Sequence, residues 1–171
     1  VKKILVTGAA GFCGTHLCQT LEKSGAKVYG WARPRSSRRS SGVSSGGCTA
    51  CVDVTDRATV DSFIRRVRPS EIYHLAALTI PQQSWQNEEK TMAVNVAGTV
   101  HLLDAIRRFS PGTRLLLASS NQAYGRTFLR GRKVREEACR MPDNPYGASK
   151  ALAELACLDF YRAFKVKVVV A

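Results

Sequence analysis

The feature that most restricts the fold lies at the start of the chain. Lys3-Ile4-Leu5-Val6 is a short apolar run that leads straight into glycines at 8, 11 and 14. Phe12 to Lys23 follows, with Phe12, Leu17 and Leu21 among good helix formers and Gly25 placed for a C-cap. A buried strand, a glycine turn and a helix make the opening of a βαβ unit. Glycine there permits a tight turn, close approach of a pyrophosphate and close packing of helix on strand. The helix N-terminus adds free N–H groups for phosphate.

The alternation continues along the chain. Lys27 to Ala32, Thr49 to Val54, Glu71 to Leu75, Thr113 to Ala118 and Lys165 to Val170 read as further buried strands. Val60, Phe63, Ile64 and Val67 form a helical stripe between two of them. Asn87 to Phe109 reads as a long helix with Val96, Val100, Leu103 and Ile106 on related faces. Asn144-Pro145 reads as N-cap and N1 of another, running to about Phe164. This order predicts an α/β fold, a doubly wound parallel sheet of Rossmann type with strand order 3-2-1-4-5-6, in one domain over 1–171. Arg33 to Gly47 is Ser, Gly and Arg, and reads as a loop.

Charge narrows the partners. There are 26 Lys and Arg against 13 Asp and Glu, a formal charge of +13, which favours anionic ligands. No nucleic-acid reading motif accompanies it, and no apolar run nears the ~20 residues of a membrane span, so neither nucleic acid nor membrane is expected. The first residues read as strand and not as a signal peptide, which makes a cytoplasmic location with reduced thiols the default. Cys48-Thr49-Ala50-Cys51 lacks the second pair or the histidines of a zinc site, so no metal is expected. Cys13 and Cys157 fall in apolar helical patterns and read as small core residues.

A strand two of this architecture often ends in an acid that binds the ribose 2′-hydroxyl. Here it ends Gly30-Trp31-Ala32-Arg33. Arg33, with Arg35, Ser36 and Arg38 beyond, suits a 2′-phosphate through charge-assisted hydrogen bonds. NADP is the expected cofactor and NAD the alternative; the plainer reading is that Arg33 opens a basic surface loop.

Two signals near the end carry chemistry. Ser119-Ser120 follows the run Leu115-Leu116-Leu117-Ala118, and Tyr146 stands four residues before Lys150. Tyrosine ordinarily ionises at about pH 10, too high for a good base. At the second position of its helix, with a lysine one turn later, both the helix end and the ammonium favour phenolate. Tyr146 is then a candidate general acid/base, with Ser120 hydrogen-bonding the same substrate oxygen. His16, His74 and His101 read as helix-face or strand-motif residues.

Taken in order, these motifs resemble the extended short-chain dehydrogenase/reductase family of nucleotide-sugar epimerases, dehydratases and reductases. The residues are Gly8-x-x-Gly11-x-x-Gly14, Asp53-Val54, His74-Leu75-Ala76-Ala77, Asn95-Val96-Ala97-Gly98-Thr99, Ser119-Ser120 to Tyr124-Gly125, and Tyr146 to Lys150. The resemblance covers essentially the whole chain, and around Ser84-Trp85 and Asn95-Val96 it is most similar to GDP-sugar dehydratases and 4-keto-6-deoxy-sugar reductases. It implies an enzyme with Ser120, Tyr146 and Lys150 as the catalytic group. Cofactor contacts would come from Gly8, Gly11, Phe12, Cys13, Gly14, Arg33, Asp53, Val54, Leu75, Ala76 and Ala77, with Tyr146 and Lys150. Substrate contacts would come from Ser84, Asn121 and Gln122. It also implies a nucleotide-sugar substrate, a homodimer built on the two long helices, and a further substrate-binding portion that this chain lacks. Dehydratases of the family typically carry a glutamate just after the Ser/Thr, where this chain has Asn121-Gln122. Amides do not titrate near neutrality. A reductase or epimerase is therefore expected. The alternatives are a 4,6-dehydratase whose acid comes from elsewhere, or a redox-sensing module without turnover, although a sensor need not keep Ser120, Tyr146 and Lys150.

Overall fold

The computed structural model describes residues 1–33, 48–130 and 133–171. Arg35, Ser36 and Arg38 lie outside them. Six parallel strands form one sheet in the order β3-β2-β1-β4-β5-β6: β1 Lys3–Thr7, β2 Lys27–Ala32, β3 Cys48–Cys51, β4 Glu71–His74, β5 Arg114–Leu117 and β6 Lys167–Val170. The predicted order and class hold. Strand alternation sorts the core. Leu5 joins the large cluster with Trp31, Ile72, Leu115 and Leu117, while its neighbours Ile4 and Val6 join the smaller one with Val28.

Helix α1 (Phe12–Lys23) covers the smaller cluster through Leu17 and Leu21. Helix α2 (Arg57–Val67) buries Val60, Phe63, Ile64 and Val67 in the large one. Each such side chain contributes roughly 1.5–3 kcal/mol relative to exposure. The long helix near 87–109 is helical throughout its course but composite. After a short helix α3 (Pro81–Ser84), α4 (Glu88–Met92) passes through a π-helical segment Ala93–Ala97 into α5 (Gly98–Phe109). Helix α6 (Pro145–Phe164) starts as predicted, with Asn144 as N-cap accepting from the Gly147 N–H, and packs against α5.

Three expectations need correcting. Strand β3 stops at Cys51, before Asp53, because the chain turns there into the α2 cap. Strand β6 is at the sheet edge, and Val169 and Val170 are exposed instead of buried. Cys13 is exposed at the start of α1, since that turn of the helix stands clear of the sheet; Cys157 is in the core as expected.

Candidate active site

The carboxyl ends of β1, β2 and β4 open into a cleft of about 500 Å³. Its walls include Gly8, Gly11, Phe12, Cys13, Gly14, Arg33, Asp53, Val54, Leu75, Ala76 and Ala77. Thr7, Trp31, Leu78 and Thr79 also line it, although sequence reasoning did not select them. Backbone demand explains the glycines. Gly8 has φ +72°, and a Cβ there would lie 2.9 Å from the Ala76 nitrogen; a Cβ on Gly14 would overlap the Gly8 carbonyl. Gly11 caps α1 without a side chain, so the first-turn N–H groups are left for an outside acceptor. One oxygen of Asp53 is taken by the Thr55 N–H and hydroxyl at 2.9 and 2.8 Å. A narrow backbone cradle under a helix N-terminus, beside Arg33, fits a dinucleotide phosphate.

The floor of the cleft is tied down by a buried polar chain. The Ala76 N–H donates to the Thr7 hydroxyl at 3.1 Å, and that hydroxyl lies 2.7 Å from His74 Nδ1. His74 Nε2 lies 3.1 Å from the Thr99 hydroxyl, which donates to the Asn95 carbonyl at 2.7 Å. These partners assign the proton to Nε2. Burial first, and the Lys150 charge second, push His74 down to about 3, so it is a neutral strut.

Asn95 extends the network to α6. Its side chain holds the backbone of Leu78 in both directions and donates to Ser149 Oγ at 2.9 Å. Ser149 donates to the Tyr146 carbonyl at 2.7 Å, and Ser84 Oγ accepts from the Tyr146 N–H at 3.1 Å. The Tyr146 backbone is thus gripped at both ends. A Cβ on Gly147 would overlap the Gln122 carbonyl, so α6 begins hard against the 3-10 turn Asn121–Ala123. Ser120 caps that turn, its Oγ accepting from the Gln122 N–H at 3.2 Å. Lys150 is 5% exposed; its Nζ lies 6.0 Å from the Tyr146 ring centre and donates to the Ala118 carbonyl at 2.7 Å. The 118–120 strand end, Tyr146 and Lys150 therefore form one cluster at the carboxyl edge of the sheet.

Residues 5–171 match the model of the GDP-mannose 4,6 dehydratase family. The chain belongs to the extended short-chain dehydrogenase/reductase family of nucleotide-sugar epimerases and dehydratases. A GDP-mannose 4,6 dehydratase 2 of Caenorhabditis elegans is 29% identical over 96% of this chain and 46% of its own. UDP-glucose 4-epimerase of Thermus thermophilus, solved with NAD, is 30% identical with a TM-score of 0.87, over 98% of this chain and 53% of its own. The Brucella ovis UDP-glucose 4-epimerase, also solved with NAD, gives 28% and 0.85, over 99% and 51%. The chain spans about half the length of the curated relatives it matches.

Among the substrate candidates of this nucleotide-sugar enzyme family, two side chains are already engaged here. Ser84, 3% exposed, donates to the Pro81 carbonyl at 2.6 Å besides holding Tyr146. Gln122 Oε1 accepts from the Asn144 amide at 3.0 Å, turned toward the α6 cap; Asn121 is exposed. Sequence reasoning gave no task to Asn95 or Ser149, which lie inside the Asn95-to-Thr99 and Tyr146-to-Lys150 motifs, or to Glu154, whose signal was its four-residue spacing from Lys150. Among the described residues no cluster of metal-ligating side chains occurs, and no helix is long and apolar enough to cross a membrane.

Proposed function

We propose that this chain is the cofactor-binding unit of a nucleotide-sugar oxidoreductase, with Tyr146 as general acid/base, Lys150 as its charge partner and Ser120 as hydrogen-bond donor to the substrate oxygen. The observation that carries this reading is the burial of the Lys150 ammonium beside a Tyr146 whose backbone is fixed at both ends. A surface Tyr/Lys pair would leave the ammonium in water. A nicotinamide bound in the cleft supplies the hydride acceptor or donor. Gly8, Gly11 and Gly14 would hold its pyrophosphate, and Asp53 and Val54 its adenine side. Arg33 supports NADP over NAD, although the relatives solved with a cofactor hold NAD. The matched relatives favour GDP-mannose and a 4,6-dehydratase outcome.

Gln122 supports a second reading, a reductase or epimerase, because the amide cannot shuttle the proton that expels water. Incubation with GDP-mannose, and separately with a GDP-4-keto-6-deoxy-hexose and NADPH, separates the two. A 4-keto-6-deoxy product from the first selects the dehydratase. Loss of NADPH absorbance only with the second selects the reductase. A homodimer through α6 is also proposed, supported by the exposed row Leu152, Leu155 and Leu158.

A further inference from the structure

Lys150 has a neighbour that the catalytic reading leaves without a task. Glu154 lies one turn further along α6, its side chain 12% exposed. One carboxylate oxygen accepts the Ser119 hydroxyl; the other pairs with Arg140 Nε at 3.0 Å. Arg140 is itself fixed, donating to the Glu136 and Ala138 carbonyls at 2.7 and 3.2 Å and lying 4.9 Å over the Tyr124 ring. Successive residues of the β5 exit are thus held by successive turns of one helix. Lys150 takes the Ala118 carbonyl and Glu154 takes the Ser119 hydroxyl, directly before Ser120.

We propose that Glu154 is a positioning residue of the catalytic group: through Ser119 it holds the strand end that carries Ser120, and one helical turn along α6 it sets a carboxylate on the same helix face as the Lys150 ammonium. This rests on the catalytic reading of Ser120, Tyr146 and Lys150. Several described residues surround the pair. Tyr146 and Cys157 come from α6, His74 from β4, Ser119 from the β5 exit and Arg140 from the segment before α6. His74 stays neutral, and burial together with Glu154 pushes the Cys157 thiol up to about 12, so neither changes charge near neutrality. Burial pushes Lys150 down to about 8, and Glu154 is the charge that opposes it. Without that charge the ammonium would give up its proton at lower pH, and Tyr146 would lose its charge partner there.

The test reads the lysine directly. With 13C-labelled lysine, the Lys150 signal (assigned by its loss in Lys150→Met) is titrated by NMR in the parent chain and in Glu154→Gln. The glutamine keeps the shape and an acceptor for Ser119 but loses the charge. Its Lys150 midpoint should fall by about one pH unit or more, the scale of a lost neighbouring opposite charge. Ser119→Ala, a milder change, keeps the charge. It should leave the midpoint in place and speed hydrogen exchange of the Gln122 amide, which Ser120 caps, by about tenfold. An unmoved midpoint in Glu154→Gln, or unchanged exchange in Ser119→Ala, overturns the proposal. Both readouts are independent of turnover. Absence of nicotinamide-dinucleotide binding to the parent chain, titrated separately, therefore counts against the catalytic reading, and absence of these shifts counts against Glu154.

Discussion

Lys150 answers two opposing demands. Its folded state gives up the proton at about 8 against 10.5 for an unperturbed lysine, burial being the cause. Between those values the unfolded chain binds more protons than the folded one, so stability rises with pH through that window. Below about 8 the whole desolvation cost is present, on the order of 3 kcal/mol. Lys150→Met is therefore expected to raise the urea midpoint at pH 7 and to raise it less at about pH 9.5, while turnover falls by about a hundredfold or more. Urea titrations at the two pH values beside steady-state rates check this. Gln122 makes the opposite kind of prediction. Gln122→Glu places a titrating carboxyl beside Asn144, and formation of a 4-keto-6-deoxy product from GDP-mannose should rise above the parent rate, read by chromatography of the products. At Arg33, substitution by Ala should weaken NADPH binding about tenfold and leave NADH within about twofold, by fluorescence titration. Equal losses for both cofactors would show that the guanidinium does not read the 2′-phosphate.

At the scale of elements, α6 sets the site by where it starts. Pro145 at N1, the Asn144 cap and the Ser84 bond to the Tyr146 N–H fix its first turn. Gly147 lets that turn sit against the Gln122 carbonyl. Gly147→Ala forces the two apart and should cost about 1–3 kcal/mol, as overpacking does. Because the glycine cradle lies between β1 and α1, its NADPH affinity should fall less than its kcat; a melting curve, a binding titration and a rate measurement separate these. The start of α6 was legible because Asn-Pro is a local signal. The π-helical segment was not. Val96, Val100, Leu103 and Ile106 fit a single regular helix, and nothing local announces the extra residue that turns Asn95 toward Leu78 and Ser149. Such an insertion is stabilised by its tertiary partners.

For the whole molecule, the apolar row on α6 gives the prediction that belongs to assembly. Leu155, 59% exposed, sits in that row. Leu155→Glu should shift the mass at micromolar concentration from dimer to monomer with NADPH affinity retained, as measured by analytical ultracentrifugation. A monomeric parent chain would remove the basis for the homodimer. What the sequence determined by itself were the features written in local patterns. Strand and helix periodicity gave the sheet class, their alternation in a doubly wound pattern gave its order, and the spacing of Gly8, Gly11 and Gly14 marked the turn after β1. Tyr146 and Lys150 share a helix face through their four-residue spacing alone. The tertiary structure decided what depends on distant chain segments meeting. It made His74 a neutral strut between Thr7 and Thr99, committed Ser84 to the Tyr146 backbone, left Cys13 outside and β6 at an edge, and brought Glu154 and Arg140 to Ser119. Hydrogen bonding and burial are properties of the surroundings a residue acquires on folding, and no spacing along one segment encodes which atoms another segment will bring.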